Sequence, residues 1–292
     1  MSELHLAYWM AAGAALCWGL VVIFIKLAGV SGRLGVPVAM ATGAIIMFVL
    51  AGDDIGLLAR LTYRQLAVFM VAGVVQFAIG SALYYESIRR GALSVAVPIT
   101  RAKIIVVLLL SLALGLERFA WPLLGACLLV LVGGVLVGAP DREAEAPARG
   151  RHWESVLLAV GTCLCWAVGE TLMGLLPKDI PGVATNFLLL SCGLTGYLIY
   201  ALASGAWREV LHMPARGVWC YMGHGTVSFA LAYALFVSAI QIAGPPRVVC
   251  ITSVYPLISA LVGWVAFRER FAPTLALGAV LIVAGIVLLQ FV

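Results

Sequence analysis

Two cationic side chains lie in the middle of an apolar stretch, GALSVAVPITRAKIIVVLLL (residues 91–110), as Arg101 and Lys103. Such side chains suit carboxylate or phosphate groups, and the planar arginine fork can bind one through two parallel hydrogen bonds. In a helix that begins near Ala92, Arg101 lies about 14 Å and Lys103 about 17 Å along the axis. Both are candidate substrate-binding residues. Residues two apart on a helix point about 200° apart, so one cation faces the ligand while the other pairs within the bundle, and we expect Arg101 to be the one that faces the ligand.

A carboxylate and three aromatic side chains complete the first set of candidate site residues. Glu170, in CWAVGETLMG, follows Trp166 by four residues, so the two share one face of a helix. Glu170 either neutralises Lys103 or Arg101 as a structural ion pair, or carries an exchangeable proton. An aromatic residue in an apolar helix more often packs or anchors than binds a ligand. Two further aromatic residues are nevertheless candidate ligand contacts: Trp18 and Tyr84.

The composition is that of a membrane protein. Of the 292 residues, 64% are apolar and 11% are charged, and the mean hydropathy is +1.11, whereas soluble domains are about half apolar and a quarter charged. Apolar runs of about 18 to 23 residues recur, and each can cross a hydrocarbon core of about 30 Å as a helix. The net charge of +5 is spread among loops, so nucleic acid is not an expected partner.

Charged or Pro/Gly-bearing breaks separate ten apolar segments, which predict an all-α integral membrane fold with ten transmembrane helices. A strongly polar stretch, GAPDREAEAPARGRHWE, divides them five and five. We therefore predict a first repeat at 1–139, a polar linker at 140–152 and a second repeat at 153–292. The predicted segments are 7–28, 34–52, 65–88, 92–114, 119–138, 154–176, 182–204, 216–241, 245–266 and 272–291.

The two halves contain matching short sequences. ERFA occurs at 117–120 and 269–272, and IT at 99–100 and 251–252, both at a shift of 152 residues, while CW at 17–18 recurs 148 residues later. A unit with an odd number of spans enters the membrane from opposite sides in its two copies. The sequence therefore predicts two five-helix inverted-topology repeats, an arrangement typical of transporters with a site between the repeats.

The repeat adds two residues to the candidate site. At the shift of 152, Arg101 corresponds to Ser253 and Lys103 to Tyr255, so the cationic character belongs to one half only. That asymmetry suits a ligand with one charged end. We therefore include Ser253 and Tyr255 among the substrate-binding candidates.

Three features resemble the drug/metabolite transporter superfamily, closest to its ten-helix EamA-type exporters. They are the tryptophan in the first span of each half (LCWGLVVIFIK and LCWAVGETLM), the glutamate after each fourth span, and the Gly-rich fifth spans. The resemblance covers essentially the whole chain. It implies a 5+5 helical fold, a central cavity and export of small metabolites such as amino acids, as in the aromatic amino-acid exporters. Family members often have a proline in each fourth span, but Pro98 and Pro256 are not equivalent, which predicts kinks that differ between the halves.

These observations predict a secondary active transporter that exports a small metabolite with an anionic group by alternating access. An amino acid fits best, within the wider class of small organic anions and zwitterions. Arg101 would hold the carboxylate, and Trp18, Tyr84 and Trp166 would shape the cavity. An alternative is a proton-coupled multidrug exporter that moves lipophilic cations through Glu170, although two central cations would repel them. A third alternative is an intramembrane enzyme or a receptor. Enzyme activity would normally need a nucleophile and a base in the spans, and no such pair is apparent in the sequence.

We expect structural roles for the cysteines, for His224 and for the other charged residues that stand out in the sequence. The seven cysteines fall within predicted spans and behave as apolar thiols, so we expect no metal site and no cofactor. Glu86 pairs with Arg89 and Arg90 at an interface, and His224 packs in the core. The glutamates of the ERFA sequences, Glu117 and Glu269, cap the helices that follow.

The loops also predict an orientation. Lysine and arginine are more frequent in loops on the side opposite the termini, which places the central linker in the cytoplasm and the termini outside. The first segment has no charged n-region before it, so we expect it to be a retained span. The expected location is the bacterial inner membrane, as a multi-pass protein whose partners are the lipid bilayer and a small-molecule substrate. A monomer is compatible with the sequence.

Overall fold

The computed structural model describes residues 3–30, 32–90, 93–137, 152–205, 207–268 and 273–292, and these parts of the chain are helical without strands. Nine of the described helical segments are long and apolar enough to cross a membrane, and a tenth is a shorter apolar helix. The predicted all-α membrane fold with ten spans is therefore confirmed. The spans are α1 (Glu3–Ala28), α2 (Gly32–Ala51), α3 (Tyr63–Arg90), α4a (Leu93–Arg101), α4b (Lys103–Ala113), α5 (Trp121–Val137), α6 (His152–Met173), α7 (Gly182–Ser204), α8 (Ala215–Ala243), α9a (Pro245–Thr252), α9b (Tyr255–Phe267) and α10 (Pro273–Leu288).

Local sequence explains several helix ends. The Thr62 hydroxyl oxygen accepts a hydrogen bond from the Gln65 amide, and the Thr62 amide donates to Gln65 Oε1, a capping box that begins α3. Gly244 has φ 81°, a backbone conformation that favours glycine, and the two prolines that follow begin α9a. The predicted linker at 140–152 lies outside the described residues except for His152, and so does Glu269.

The third span of each half contains a π-helical turn. It covers Val74–Ile79 in α3 and Gly225–Ala232 in α8. The two turns begin 151 residues apart, close to the shift that relates the sequence repeats. The halves therefore share a backbone irregularity of a kind that is frequent at functional sites.

The fourth span of each half is broken at the same place. The break lies at Ala102 in the first half and at Val254, the equivalent position, in the second. At each break, backbone hydrogen bonds join residues three apart instead of four apart. The matching bonds are Ala102 N–H to Ile99 O (3.1 Å) and Val254 N–H to Ile251 O (3.2 Å), then Ile105 N–H to Ala102 O (3.1 Å) and Leu257 N–H to Val254 O (3.0 Å).

The two prolines lie on opposite sides of these breaks, and the difference between the kinks stays a prediction. Pro98 lies inside α4a before its break, whereas Pro256 lies in the first turn of α9b after the other break. Both breaks are tightened turns at the same repeat position, so they do not follow the prolines.

The first span of each half packs mainly against the spans of the other half. Helix α1 packs against α8, α9a and α9b of the second half, while α6 packs against α3, α4a and α4b of the first. Helix α2 contacts the π turn of α8, and α7 contacts the π turn of α3. Every one of these contacts has its counterpart when the halves are interchanged, so the core lies between the halves rather than within each.

The fifth spans, α5 and α10, meet through glycines. A Cβ atom added to Gly133 would lie 2.6 Å from the Gly278 carbonyl oxygen, and one added to Gly278 would lie equally close to the Gly133 oxygen. A Cβ at Gly285 would lie 2.9 Å from the Ala126 oxygen. Residues later in α10 contact residues earlier in α5, so the two helices are antiparallel. Their backbones touch, which only glycine allows.

Replacing Gly278 by alanine is expected to destabilise the protein by about 1–3 kcal/mol, because the added methyl overlaps the backbone of α5. The measurement is the apparent melting temperature of the purified protein in detergent. Gly56→Ala is the matched control, since a Cβ there meets nothing within 4 Å, and alanine favours its helix. Equal melting temperatures for the two variants would contradict the α5–α10 contact.

Candidate functional site

An ion pair between the halves lies near the middle of the spans. Lys103 is the first residue of α4b, and its ammonium donates to Oε1 of Glu170 on α6. The side chains are 15% and 2% exposed, respectively. The ammonium also lies 5.5 Å from the centre of the Trp166 ring. The second carboxylate oxygen of Glu170 is buried without a hydrogen-bond partner among the described residues.

Arg101 points to a different partner. Its guanidinium carbon lies 4.4 Å from the centre of the Tyr255 ring on α9b, within the range of a cation–π contact. Its Nε–H is buried and has no hydrogen-bond acceptor in the part of the chain that the structure describes. The residue as a whole is half-buried. Arg101 therefore keeps one donor unused among the described residues, on a side chain that is half-buried.

The predicted aromatic residues form one cluster around these charges. The Trp18 ring lies 6.1 Å from the Tyr255 ring, and the Tyr84 ring lies 5.1 Å from the Trp166 ring. Tyr84 is close enough to Tyr255 and Arg101 for electrostatic interaction. All four aromatic residues are half-buried. The structure thus brings together the residues that the sequence placed on four different spans.

Ser253, the repeat counterpart of Arg101, is turned toward its own helix. Its hydroxyl donates to the Val249 carbonyl at 2.7 Å. This bond uses the single proton of the Ser253 hydroxyl. The cationic end of the site therefore comes from the first half, as the sequence indicates.

Two cluster residues were missed from the sequence, and both lie on or beside the π turns. Gln76, on the turn of α3, is 2% exposed and donates from Nε2 to the Tyr233 hydroxyl at 3.3 Å. Tyr233 follows the turn of α8, and its ring lies 5.1 Å from Trp18 and 4.8 Å from Phe77. A glutamine inside the apolar run VVQFAIG was the signal that could have found Gln76.

Ion pairs also join the helices on the membrane side where α3 ends and α6 begins. Glu86 accepts hydrogen bonds from Arg89 and Arg90, at 2.5 and 2.6 Å, which confirms the predicted pairing. Arg90 also bonds Glu154 at 2.6 Å, and this joins α3 to the start of α6. His224 is buried against the Tyr221 and Phe229 rings, at 5.8 and 5.6 Å.

Glu117 has a different role from the predicted helix cap. Its two carboxylate oxygens accept from the Arg247 guanidinium at 3.1 and 3.2 Å, in a bidentate pair that is only 19% and 9% exposed. Glu117 therefore ties the loop before α5 to the start of α9a, on the side of the membrane that holds both chain ends. Its repeat counterpart Glu269 lies outside the described residues.

The seven cysteines are all free thiols. Within the described ranges, no group of three His, Cys, Asp or Glu side chains could hold a metal ion. Among the described residues the cluster offers one cation without an ion-pair partner, one neutralised ion pair and aromatic rings around them. Such a site can hold a small molecule that has an anionic group and an apolar part.

Comparisons with known proteins agree with the membrane architecture. The EamA-like transporter family matches the chain twice, over residues 5–139 and 153–291. A solved structure described only as a crystal structure of a protein has a TM-score of 0.76 at 17% identity, covering 98% of this chain and 96% of that one. At that identity the likeness shows the fold alone.

Similar curated proteins are named as transporters. An uncharacterized transporter of Archaeoglobus fulgidus is 23% identical over 76% of this chain and 75% of its own length. The uncharacterized transporter YvbV of Bacillus subtilis is 26% identical, over 59% of this chain and 57% of its own length. The WAT1-related protein At3g53210 of Arabidopsis thaliana is 22% identical, over 62% and 56%. The apolar helices and both family matches make this a multi-pass integral membrane protein of transporter type, and the chain belongs to the EamA-like transporter family.

Proposed function

We propose that this protein is a secondary active transporter that exports a small metabolite with an anionic group, best fitted by an amino acid. The observation that carries the proposal is Arg101, which is half-buried at the break of the fourth span with an unused Nε–H donor. A cation at this depth costs about 2.5–3.5 kcal/mol by insertion scales, so it calls for a partner or a ligand.

The charge balance of the site supports an anionic ligand. Lys103 is already neutralised by Glu170, and the remaining charge of the cluster is that of Arg101. Tyr255 contacts the guanidinium through its ring, which accepts no hydrogen bond from the Nε–H, and a planar acceptor such as a carboxylate suits that donor. The surrounding rings of Trp18, Tyr84 and Trp166 suit the apolar part of a metabolite.

An inverted repeat with the site between its halves is the architecture that we infer. It is supported by the equivalent breaks of α4 and α9, the exchanged packing of α1 and α6, and the antiparallel α5–α10 contact. The two family matches divide the chain at the same place. Inverted repeats of this kind work by rocking one bundle against another around a fixed site. We place the protein in a bacterial inner membrane.

Alternating access is supported by a polar closure on the side of the chain ends. There the Glu117–Arg247 pair joins the halves, and Gln241 donates to the carbonyls of Pro177 and Ile180, at 3.1 and 3.0 Å. At the shift of 152, Arg247 corresponds to Val95, which has no charge for Glu269 to pair with. The Glu117–Arg247 pair therefore has no equivalent at the matching repeat positions, and we infer that the two sides close through different interactions.

Export of lipophilic cations through Glu170 is the less favoured alternative. The Glu170 carboxylate is engaged with Lys103, and a cationic substrate would have to displace that ammonium while passing Arg101. Both steps oppose binding of a cation.

Arg101→Gln is expected to raise the half-saturating concentration of transported substrate about 10- to 150-fold, because it removes a charge-assisted hydrogen bond worth about 1.5–3 kcal/mol. The measurement is counterflow of labelled amino acids and organic anions in proteoliposomes. Arg64→Gln, on an exposed arginine, is the control. Unchanged transport of every accepted substrate by Arg101→Gln would overturn the role of Arg101.

Lys103→Met is expected to lower the free energy of unfolding by about 3–5 kcal/mol, because Glu170 is left buried and unpaired. The double variant Lys103→Met/Glu170→Gln removes both charges and is expected to recover most of that loss. Thermal unfolding of the purified proteins in detergent measures both effects. If single and double variants are equally destabilised, the ion pair does not account for the stability.

Glu117→Gln is expected to open the side of the chain ends more often, by about fivefold, because its ion pair with Arg247 contributes about 1 kcal/mol. The readout is maleimide labelling of Cys250, which is fully buried in α9a, in a background where the other six cysteines are alanine. Arg118→Gln is the neighbouring control. A labelling rate equal to that of the parent protein would contradict the closure.

A further inference from the structure

Two hydrogen-bond acceptors in the cluster are buried without donors among the described residues. They are Oε1 of Gln76 and Oε2 of Glu170, on side chains that are each 2% exposed. Folded proteins leave few buried polar atoms unsatisfied, because each costs about 1–3 kcal/mol. Two such acceptors in one cluster therefore call for an explanation.

The two acceptors belong to the same small region. Gln76 Oε1 lies 2.5 Å from the position that a Cβ on Gly169 would occupy, and Gly169 directly precedes Glu170. Tyr233 adjoins both, since it accepts from Gln76 Nε2 and is close enough to Glu170 for electrostatic interaction. The absence of a side chain at Gly169 lets the π turn of α3 approach α6 and brings the acceptors together.

The cluster thus has unused hydrogen-bonding groups of opposite kinds. Arg101 offers a donor without an acceptor, whereas Gln76 and Glu170 offer acceptors without a donor. The half-buried rings of Tyr84 and Trp166 lie among them. A molecule with a carboxylate at one end and a primary ammonium at the other would satisfy all three groups.

We propose that Gln76 and Glu170 form an ammonium subsite, so that the substrate is a zwitterion rather than a simple organic anion. This inference rests on the proposed transport of a substrate held by Arg101. The ammonium donates to Gln76 Oε1 and Glu170 Oε2, while Lys103 keeps the other oxygen of Glu170. An ammonium has three donors and the two acceptors use two of them.

The subsite lies at the π turns, a backbone irregularity that is frequent at functional sites. Gln76 is carried by the π turn of α3, and Tyr233, which covers it, follows the π turn of α8. The Tyr233 and Trp166 rings keep accessible surface although Gln76 and Glu170 do not. A small movement of either ring opens the acceptors to a ligand that already contacts Arg101.

The test compares matched substrates that differ only in the amino group. L-Phenylalanine with 3-phenylpropanoate, and L-leucine with 4-methylpentanoate, are supplied in proteoliposome counterflow. The parent protein is expected to favour the amino acid of an accepted pair at least tenfold. Gln76→Leu is expected to reduce that preference about tenfold while transport of the desamino acid continues, which also reports that the variant is folded. Gln76→Glu keeps the acceptor and is expected to retain the preference.

The outcomes separate this inference from the proposed function. Arg101-dependent transport of both members of a pair with equal efficiency overturns the ammonium subsite and leaves the anion site standing. Loss of preference in Gln76→Glu as large as in Gln76→Leu also overturns it, because the acceptor would then be irrelevant. Gln290→Leu, an exposed glutamine in the last turn, is the matched control and is expected to behave as the parent. If the parent transports neither member of either pair, both proposals fail for these substrates.

Discussion

A buried charge in a membrane protein must find a partner inside the protein, and the ion pair between Lys103 and Glu170 is the clearest consequence here. It joins α4b of the first half to α6 of the second at the middle of the spans. Once that pair is formed, the charge that remains at the centre is that of Arg101. The chemistry of the site therefore follows from which of two neighbouring cations is neutralised.

The backbone follows a related constraint. Amide groups that leave the regular helical pattern within the spans must be satisfied by other protein groups, because lipid offers them no partners. The breaks of α4 and α9 meet this need with tightened turns, and those of α3 and α8 with π turns. All four irregular segments adjoin the cluster. The backbone of these four spans thus departs from the regular α-helix at the segments that carry or adjoin candidate site residues.

The polar side chains of the site divide into satisfied and unsatisfied groups. Ser253 and Lys103 have their hydrogen bonds within the protein, whereas Arg101, Gln76 and Glu170 each retain an atom without a partner in the described parts of the chain. Those unused atoms are expensive in a closed core and useful in a site that binds polar ligands. The arrangement fits a protein in which substrate completes the hydrogen bonding of its own site.

The sequence by itself determined the membrane class, the ten spans and the candidate residues Arg101, Lys103 and Glu170, because charges stand out in apolar helices and hydropathy needs no tertiary context. The positions of the helix breaks were not predicted from Pro98 and Pro256, because the observed turns lie at equivalent places in the two halves and the prolines do not. Only the tertiary structure decided that Lys103 rather than Arg101 pairs with Glu170, that Glu117 binds Arg247, and that Gln76 joins the cluster. Each of these depends on helices far apart in the chain, and such contacts are fixed by packing that no local pattern encodes.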